Sequence, residues 1–118
     1  MSPEAIIKAL KAYNLASGTE EELQAAIAVA LTNECIPFRR EHRLSDADRI
    51  DFIVERVGIE VKVGGSTSAL IRQVHRYAQS EELDAIVVVT TRGHHQIPKD
   101  EINGRQVIVH SLAMEKAF

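Results

Sequence analysis

One cysteine, no long apolar run and no surplus of positive charge set the first limits on this 118-residue chain. Cys35 alone cannot close an internal disulfide, which fits a reducing compartment. Near an expected helix end it serves as a small apolar side chain, with no Cys-His arrangement beside it to make a reactive thiol. No segment approaches the roughly 18 to 20 apolar residues of a membrane span. The start Met1-Ser2-Pro3-Glu4 lacks a basic region followed by an apolar block, so a cytoplasmic protein without membrane attachment is expected. A net charge of -3 gives nucleic acid no bulk attraction. Repeats and low-complexity segments are absent from the sequence, and His94-His95 has no spaced partner for a metal site and reads as a solvated loop.

What is present is the balance of one compact domain spanning residues 1–118, with 45% hydrophobic and 26% charged residues. Apolar residues at helical spacing predict a leading helix over 3–16, with Pro3 and Glu4 suited to its first turn. Ser17-Gly18-Thr19 breaks it, and Thr19 followed by Glu22 forms a capping box that opens a longer helix to about Glu34. After Ile36-Pro37 an edge strand is expected over 38–44, then a polar loop over 45–48. The stretches 50–54 and 58–63 read as two strands of an antiparallel hairpin. Gly64-Gly65-Ser66 ends the second, and Leu70, Val74 and Tyr77 share one face of a helix over 67–79. The unbroken apolar run 85–90 reads as a central strand covered on both faces, in parallel with a neighbour. A loop over 92–104, a strand over 106–110 and a short C-terminal helix complete an α/β fold, a mixed sheet flanked by helices.

The chemistry concentrates in the hairpin. Side chains alternate along a strand, so Glu60 and Lys62 share a polar face while Ile59, Val61 and Val63 face the core. A two-residue connection at Glu55-Arg56 sets Asp51 opposite Glu60. That pair makes a poor hairpin turn, and a bulge near Gly58 is the alternative. Either way two carboxylates end close together, which is costly unless a cation or a proton intervenes. Hard oxygen donors suit Mg²⁺, with Mn²⁺ as a substitute, and such ions contact phosphate oxygens. The Lys62 ammonium would orient a water or hold a phosphate oxygen. An ordinary cross-strand salt-bridge cluster would use the same residues.

Two helical contributions widen the constellation. Glu20 continues the stripe of Leu23, Ile27 and Leu31 and can meet the sheet, whereas Glu21 and Glu22 point away; complementing the helix dipole is the other role open to Glu20, and Glu21 is its substitute. Gln73 and Tyr77 lie one turn apart and can face the same site, the amide holding a water or a phosphate, unless Tyr77 is simply core and Gln73 exposed.

Asp51, eight intervening residues, Glu60-Val61-Lys62 and then a helix carrying Gln73-x-x-x-Tyr77 together resemble the PD-(D/E)xK nuclease superfamily. The Gln-x3-Tyr element is similar to the branch typified by the nuclease domain of bacterial recombination helicases. The match covers residues 20–90. The resemblance implies a restriction-endonuclease-like core and Mg²⁺ held by Asp51, Glu60, the carbonyl of Val61 and often Glu20, with Lys62 near the attacking water. It implies DNA hydrolysis leaving a 5′-phosphate. Ile50 stands where the motif has proline, a position that holds no metal.

Arg39, Arg40 and Arg43 flank Glu41 on the expected edge strand and, with Arg72, Arg76 and Tyr77, are the candidate nucleic-acid contacts. Charged edge strands also discourage aggregation, and Glu41 is expected to pair with an arginine. Small stand-alone members of the superfamily include junction resolvases, so branched DNA is one candidate substrate. Symmetric cutting of two strands would take a homodimer. A larger partner could supply targeting. The rival reading is a catalytically silent nucleic-acid-binding or assembly module with the same fold.

Overall fold

The computed structural model describes residues 1–15, 18–93 and 95–112. Pro3 at the first helical position and the Ser2 hydroxyl, accepting from the Ala5 amide at 3.1 Å, open α1 (Pro3–Lys11). The helix closes earlier than the expected residue 16, because Ala12 and Tyr13 donate to the carbonyls three residues back and tighten the turn. In front of α2 (Glu20–Asn33), Thr19 and Glu22 make both bonds of the capping box, at 3.1 and 3.2 Å. Cys35 follows the end of α2 with φ +57° and is exposed, so it terminates the helix rather than packing as a small apolar side chain.

Six strands follow: β1 (Arg39–Arg43), β2 (Arg49–Val54), β3 (Val57–Lys62), β4 (Ala85–Thr90), β5 (Glu101–Ile102) and β6 (Arg105–Ser111), with α3 (Thr67–Tyr77) between β3 and β4. They form one sheet in the order β1-β2-β3-β4-β6-β5. The first three are antiparallel neighbours, β3, β4 and β6 run parallel, and β5 returns antiparallel on β6. The chain is therefore an α/β domain with a mixed sheet. The run Ala85-Ile86-Val87-Val88-Val89 is buried on both faces in the middle of that sheet, as β-branched residues between two helical layers should be. The two-residue strand β5 falls inside the expected 92–104 loop, too short to show a period. The expected C-terminal helix and His94 lie outside the described residues.

Two cores separate the layers. Ile6 and Leu10 of α1, and Leu23, Ile27 and Leu31 of α2, cover one face of the sheet over Phe52, Ile59, Val61, Val87 and Val89. Leu70, Val74 and Tyr77 of α3 cover the other over Ile50, Ile53, Ile86 and Val88. Each of these side chains is fully or almost fully buried, contributing about 1.5 to 3 kcal/mol relative to exposure.

The hairpin register Phe52↔Ile59, Ile53↔Gly58, Val54↔Val57 is that of a two-residue connection at Glu55-Arg56. Glu55 takes φ +53°, the strain that makes this pair a poor turn by sequence. Gly58 stays in the ladder and makes no bulge. Its role is close approach: a methyl built there would stand 2.4 Å from Cδ1 of Ile50 and 3.3 Å from Leu83. Gly58→Ala should cost about 1 to 3 kcal/mol through overpacking. A thermal midpoint equal to that of the parent protein would show instead that Ile50 can yield.

Candidate active site

Strict alternation along β2 would send Ile50, Phe52 and Val54 to one face. Phe52 and Val54 do pack under α1 and α2, but Ile50 lies in the α3 core together with Ile53. The strand thus turns over between Ile50 and Phe52, at Asp51, and its ladder with β3 extends no further than Phe52. The neighbouring strand bends there too. Glu41, across from Asp51 in the β1–β2 register between Arg40↔Phe52 and His42↔Ile50, has φ +53°.

Past that turn, side chains replace the missing backbone ladder. Asp51 Oδ2 accepts from the Val61 amide at 2.8 Å, and Glu60 Oε1 accepts from the Asp51 amide at 3.3 Å. Each carboxylate thereby commits one oxygen to the opposing strand and keeps the other. Glu60 Oε2 lies 3.8 Å from Lys62 Nζ, a loose ion pair that leaves the ammonium, whose side chain is 24% exposed, available at the rim. The Val63 amide, next along the chain, donates to Glu20 Oε1 at 3.4 Å. Glu20 is the α2 acid that meets the sheet; Glu22 caps its helix, and Glu21 is exposed.

Glu60 is only 4% exposed, so the face it shares with Lys62 is covered by α3 and is not a solvated polar surface. Burial, and then the Asp51 charge, push its carboxyl up to about 8, against the weaker pull of Lys62. Burial also raises Asp51, opposed by the bond from Val61 and reinforced by the charges of Glu20 and Glu41. The upward shift favours the protonated form of Glu60 when no cation is present.

Tyr77 and Gln73 form the floor. The Gln73 amide donates to the Tyr77 hydroxyl at 2.8 Å, and the hydroxyl donates to the Arg49 carbonyl at 3.2 Å. It also lies within hydrogen-bonding reach of Glu60, and burial, with the Glu60 charge, raises its pKa strongly. At 2% exposure Tyr77 lies under the carboxylates, not on the surface where a nucleic-acid contact was expected. Gln73 Oε1 is buried beside it and makes no hydrogen bond among the described residues.

No family model, no curated protein and no solved structure matches this chain. Its site is described by its own geometry alone.

The basic residues are dispersed. Arg40 lies 5.3 Å from the centre of the Phe52 ring and bonds Gln24, while Arg43 donates to the Asp46 carbonyl. Arg39 is exposed on the edge strand, near Phe38 and His42 in a different cleft from the carboxylates. Arg72 and Arg76 project from α3 into a cleft beside Lys62. Glu41 pairs with Arg49 at 3.0 Å, and its charge still reaches Asp51. Among the described residues no three His, Cys, Asp or Glu side chains converge to hold a metal ion, and no helix is long and apolar enough to cross a membrane.

His95 departs from its expected place in a solvated loop. It is fully buried, with Nδ1 2.8 Å from Thr90 Oγ1 and Nε2 3.0 Å from the Gly65 carbonyl. Because a carbonyl only accepts, Nε2 carries a proton. The Thr90 oxygen also accepts from the Arg92 amide, and Arg92 Nε donates to the Val63 carbonyl at 2.8 Å. The segment leaving β4 thus fixes the segment leaving β3, just past Lys62. A histidine pair in a glycine- and proline-marked stretch carries no local sign of such burial.

Proposed function

We propose that this chain is a divalent-cation-dependent nuclease of the PD-(D/E)xK kind, with a restriction-endonuclease-like core, that hydrolyses DNA phosphodiester bonds in the cytoplasm. The observation carrying this reading is the Asp51–Glu60 pair, a half-buried and a buried carboxylate held together across β2 and β3 with Lys62 at its rim. Two carboxyls this close and this shielded from water oppose each other's ionisation. A hard cation would relieve the conflict. Mg²⁺ commonly binds through one or two carboxylates and keeps several waters, so the absence of a three-acid cage does not count against it.

The oxygens of Asp51 and Glu60 that no backbone amide engages and the Val61 carbonyl would hold the ion, with Glu20 nearby. Bound there, the cation supplies positive charge to the phosphate oxygens and acidifies water. The protein's own groups do the rest. Val61 and Asp51 amides orient the two carboxylates, Tyr77 and Gln73 close the site from below, and Lys62 holds the attacking water or a phosphate oxygen. The water oxygen bonds to phosphorus as the water gives up a proton to solvent, the bond to the 3′ oxygen breaks and that oxygen takes a proton from solvent, leaving a 5′-phosphate and a 3′-hydroxyl.

Single-stranded, duplex, flapped and four-way DNA incubated with Mg²⁺ or Mn²⁺ provides the test. Lys62→Ala and Asp51→Asn should each reduce cleavage by on the order of 100-fold or more while the fold persists. Equal cleavage by the parent and both variants would remove the site.

A further inference from the structure

Beside Lys62 the chain leaving β3 and the first turns of α3 enclose a cleft of about 290 Å³, lined among others by Lys62, Gly64, Gly65, Arg72, Gln73 and Arg76. Three of these are cations in a protein whose net charge is -3. Arg76 is engaged by Asp48 at 3.0 Å, whereas Arg72 is exposed and makes no hydrogen bond or ion pair among the described residues. Gly65 has φ +82°, which explains its lack of a side chain. Gly64 has no such reason. Its φ is not positive, and a methyl built there would meet nothing within 4 Å, so neither the backbone nor the packing requires glycine. What its bare backbone provides is an open wall in the cleft that Lys62, Arg72 and Arg76 also line. That wall is anchored on either side of Gly64, where His95 bonds the Gly65 carbonyl and Arg92 bonds the Val63 carbonyl.

An uncluttered main-chain wall in the same cleft as an uncommitted guanidinium suits a phosphodiester. The size is at the low end of ligand clefts, roughly 300 Å³, with room for about one nucleotide unit of a strand and not for a duplex. We infer that this cleft seats the phosphodiester backbone next to the scissile bond, Arg72 pairing with the phosphate and the Gly64 backbone lying against the strand. The inference rests on the nuclease reading and adds to it the path by which a nucleic-acid strand enters.

Binding of a fluorescent single-stranded oligodeoxynucleotide, measured by anisotropy in EDTA, tests this path without requiring cleavage. Arg72→Gln should weaken binding about tenfold, one lost charge-assisted contact. It should also reduce the slope of log affinity against log salt by about 0.7. Gly64→Ala should weaken binding about fivefold by crowding the wall, with an unchanged thermal midpoint. Lys8→Gln, which removes the same charge from α1 on the opposite face of the sheet, should bind as the parent does. Parent-like binding by both Arg72→Gln and Gly64→Ala overturns the inference, as does a loss in Lys8→Gln equal to that in Arg72→Gln, or no binding by the parent. A parent that binds in this pattern but never cleaves with Mg²⁺ or Mn²⁺ defeats the nuclease reading while leaving the strand seat in place.

Discussion

Glu60→Gln should yield a protein that is more stable than the parent at pH 7 and unable to cleave DNA. The parent carboxyl is raised from 4.5 to about 8 in the folded state, so the folded chain holds a proton that the unfolded chain releases. For an acid shifted upward, the favourable contribution is complete below the unfolded value, declines between the two values and is gone above the folded one. The loss accrues at about 1.4 kcal/mol per pH unit between them. At pH 7 much of that penalty is already incurred, and glutamine, neutral at every pH, avoids it. Chemical denaturation at pH 7 should show a gain on the order of 1 to 3 kcal/mol, shrinking toward pH 4.5. Cleavage should fall by roughly 1000-fold, because an amide cannot supply the anionic ligand. A variant less stable than the parent at pH 7 would mean that Glu60 is ionised in the fold. Residual activity near the parent level would remove Glu60 from the reaction. This pairing of gain and loss is expected where a site keeps charge that the fold would sooner expel.

Divalent cations should act most strongly where the apo protein is weakest. In EDTA the raised carboxyl of Glu60 makes the parent lose stability as pH rises from about 4.5 to about 8, and the raised carboxyl of Asp51 acts in the same direction. Binding a cation needs both groups ionised and therefore releases a proton near neutrality. The rise in thermal midpoint with Mg²⁺ or Mn²⁺ should accordingly be larger at pH 8 than at pH 6. At a cation concentration about 100 times its dissociation constant the stabilisation is about 2.7 kcal/mol, or some 10 °C or more for a domain of about this size. Asp51→Asn should abolish most of it. Equal cation shifts at pH 6 and pH 8, or a full shift in Asp51→Asn, would show that the ions bind elsewhere.

Much of the framework was legible in local pattern. The capping box at Thr19 and Glu22, the apolar run of β4 and the spacing from Asp51 to Glu60 each describe residues close in the chain, and each corresponds to an element or register in the structure. The edge strand after Ile36-Pro37 was legible too, although its arginines do not gather on the carboxylates: Arg40 is drawn to Phe52 and Arg43 to a turn carbonyl. Glu41 did pair with an arginine as expected, yet its left-handed backbone also brings its charge to Asp51. No residue pattern announces that bend.

The closeness of Asp51, Glu60 and Lys62 was readable in the sequence, because alternation puts Glu60 and Lys62 on one face and either hairpin connection brings Asp51 near them. The choice of the two-residue connection over a bulge came from the packing of Gly58. The electrostatic character of the trio was decided by the tertiary structure. Alternation made the Glu60 face polar, but α3 covers it, and only that covering raises Glu60 and puts Tyr77 beneath it. The turn of β2 at Asp51, the burial of His95 and the open wall at Gly64 have the same origin. Periodicity reports what neighbours along one element, whereas burial and close approach depend on which distant element packs on top, and that is a property of the whole core.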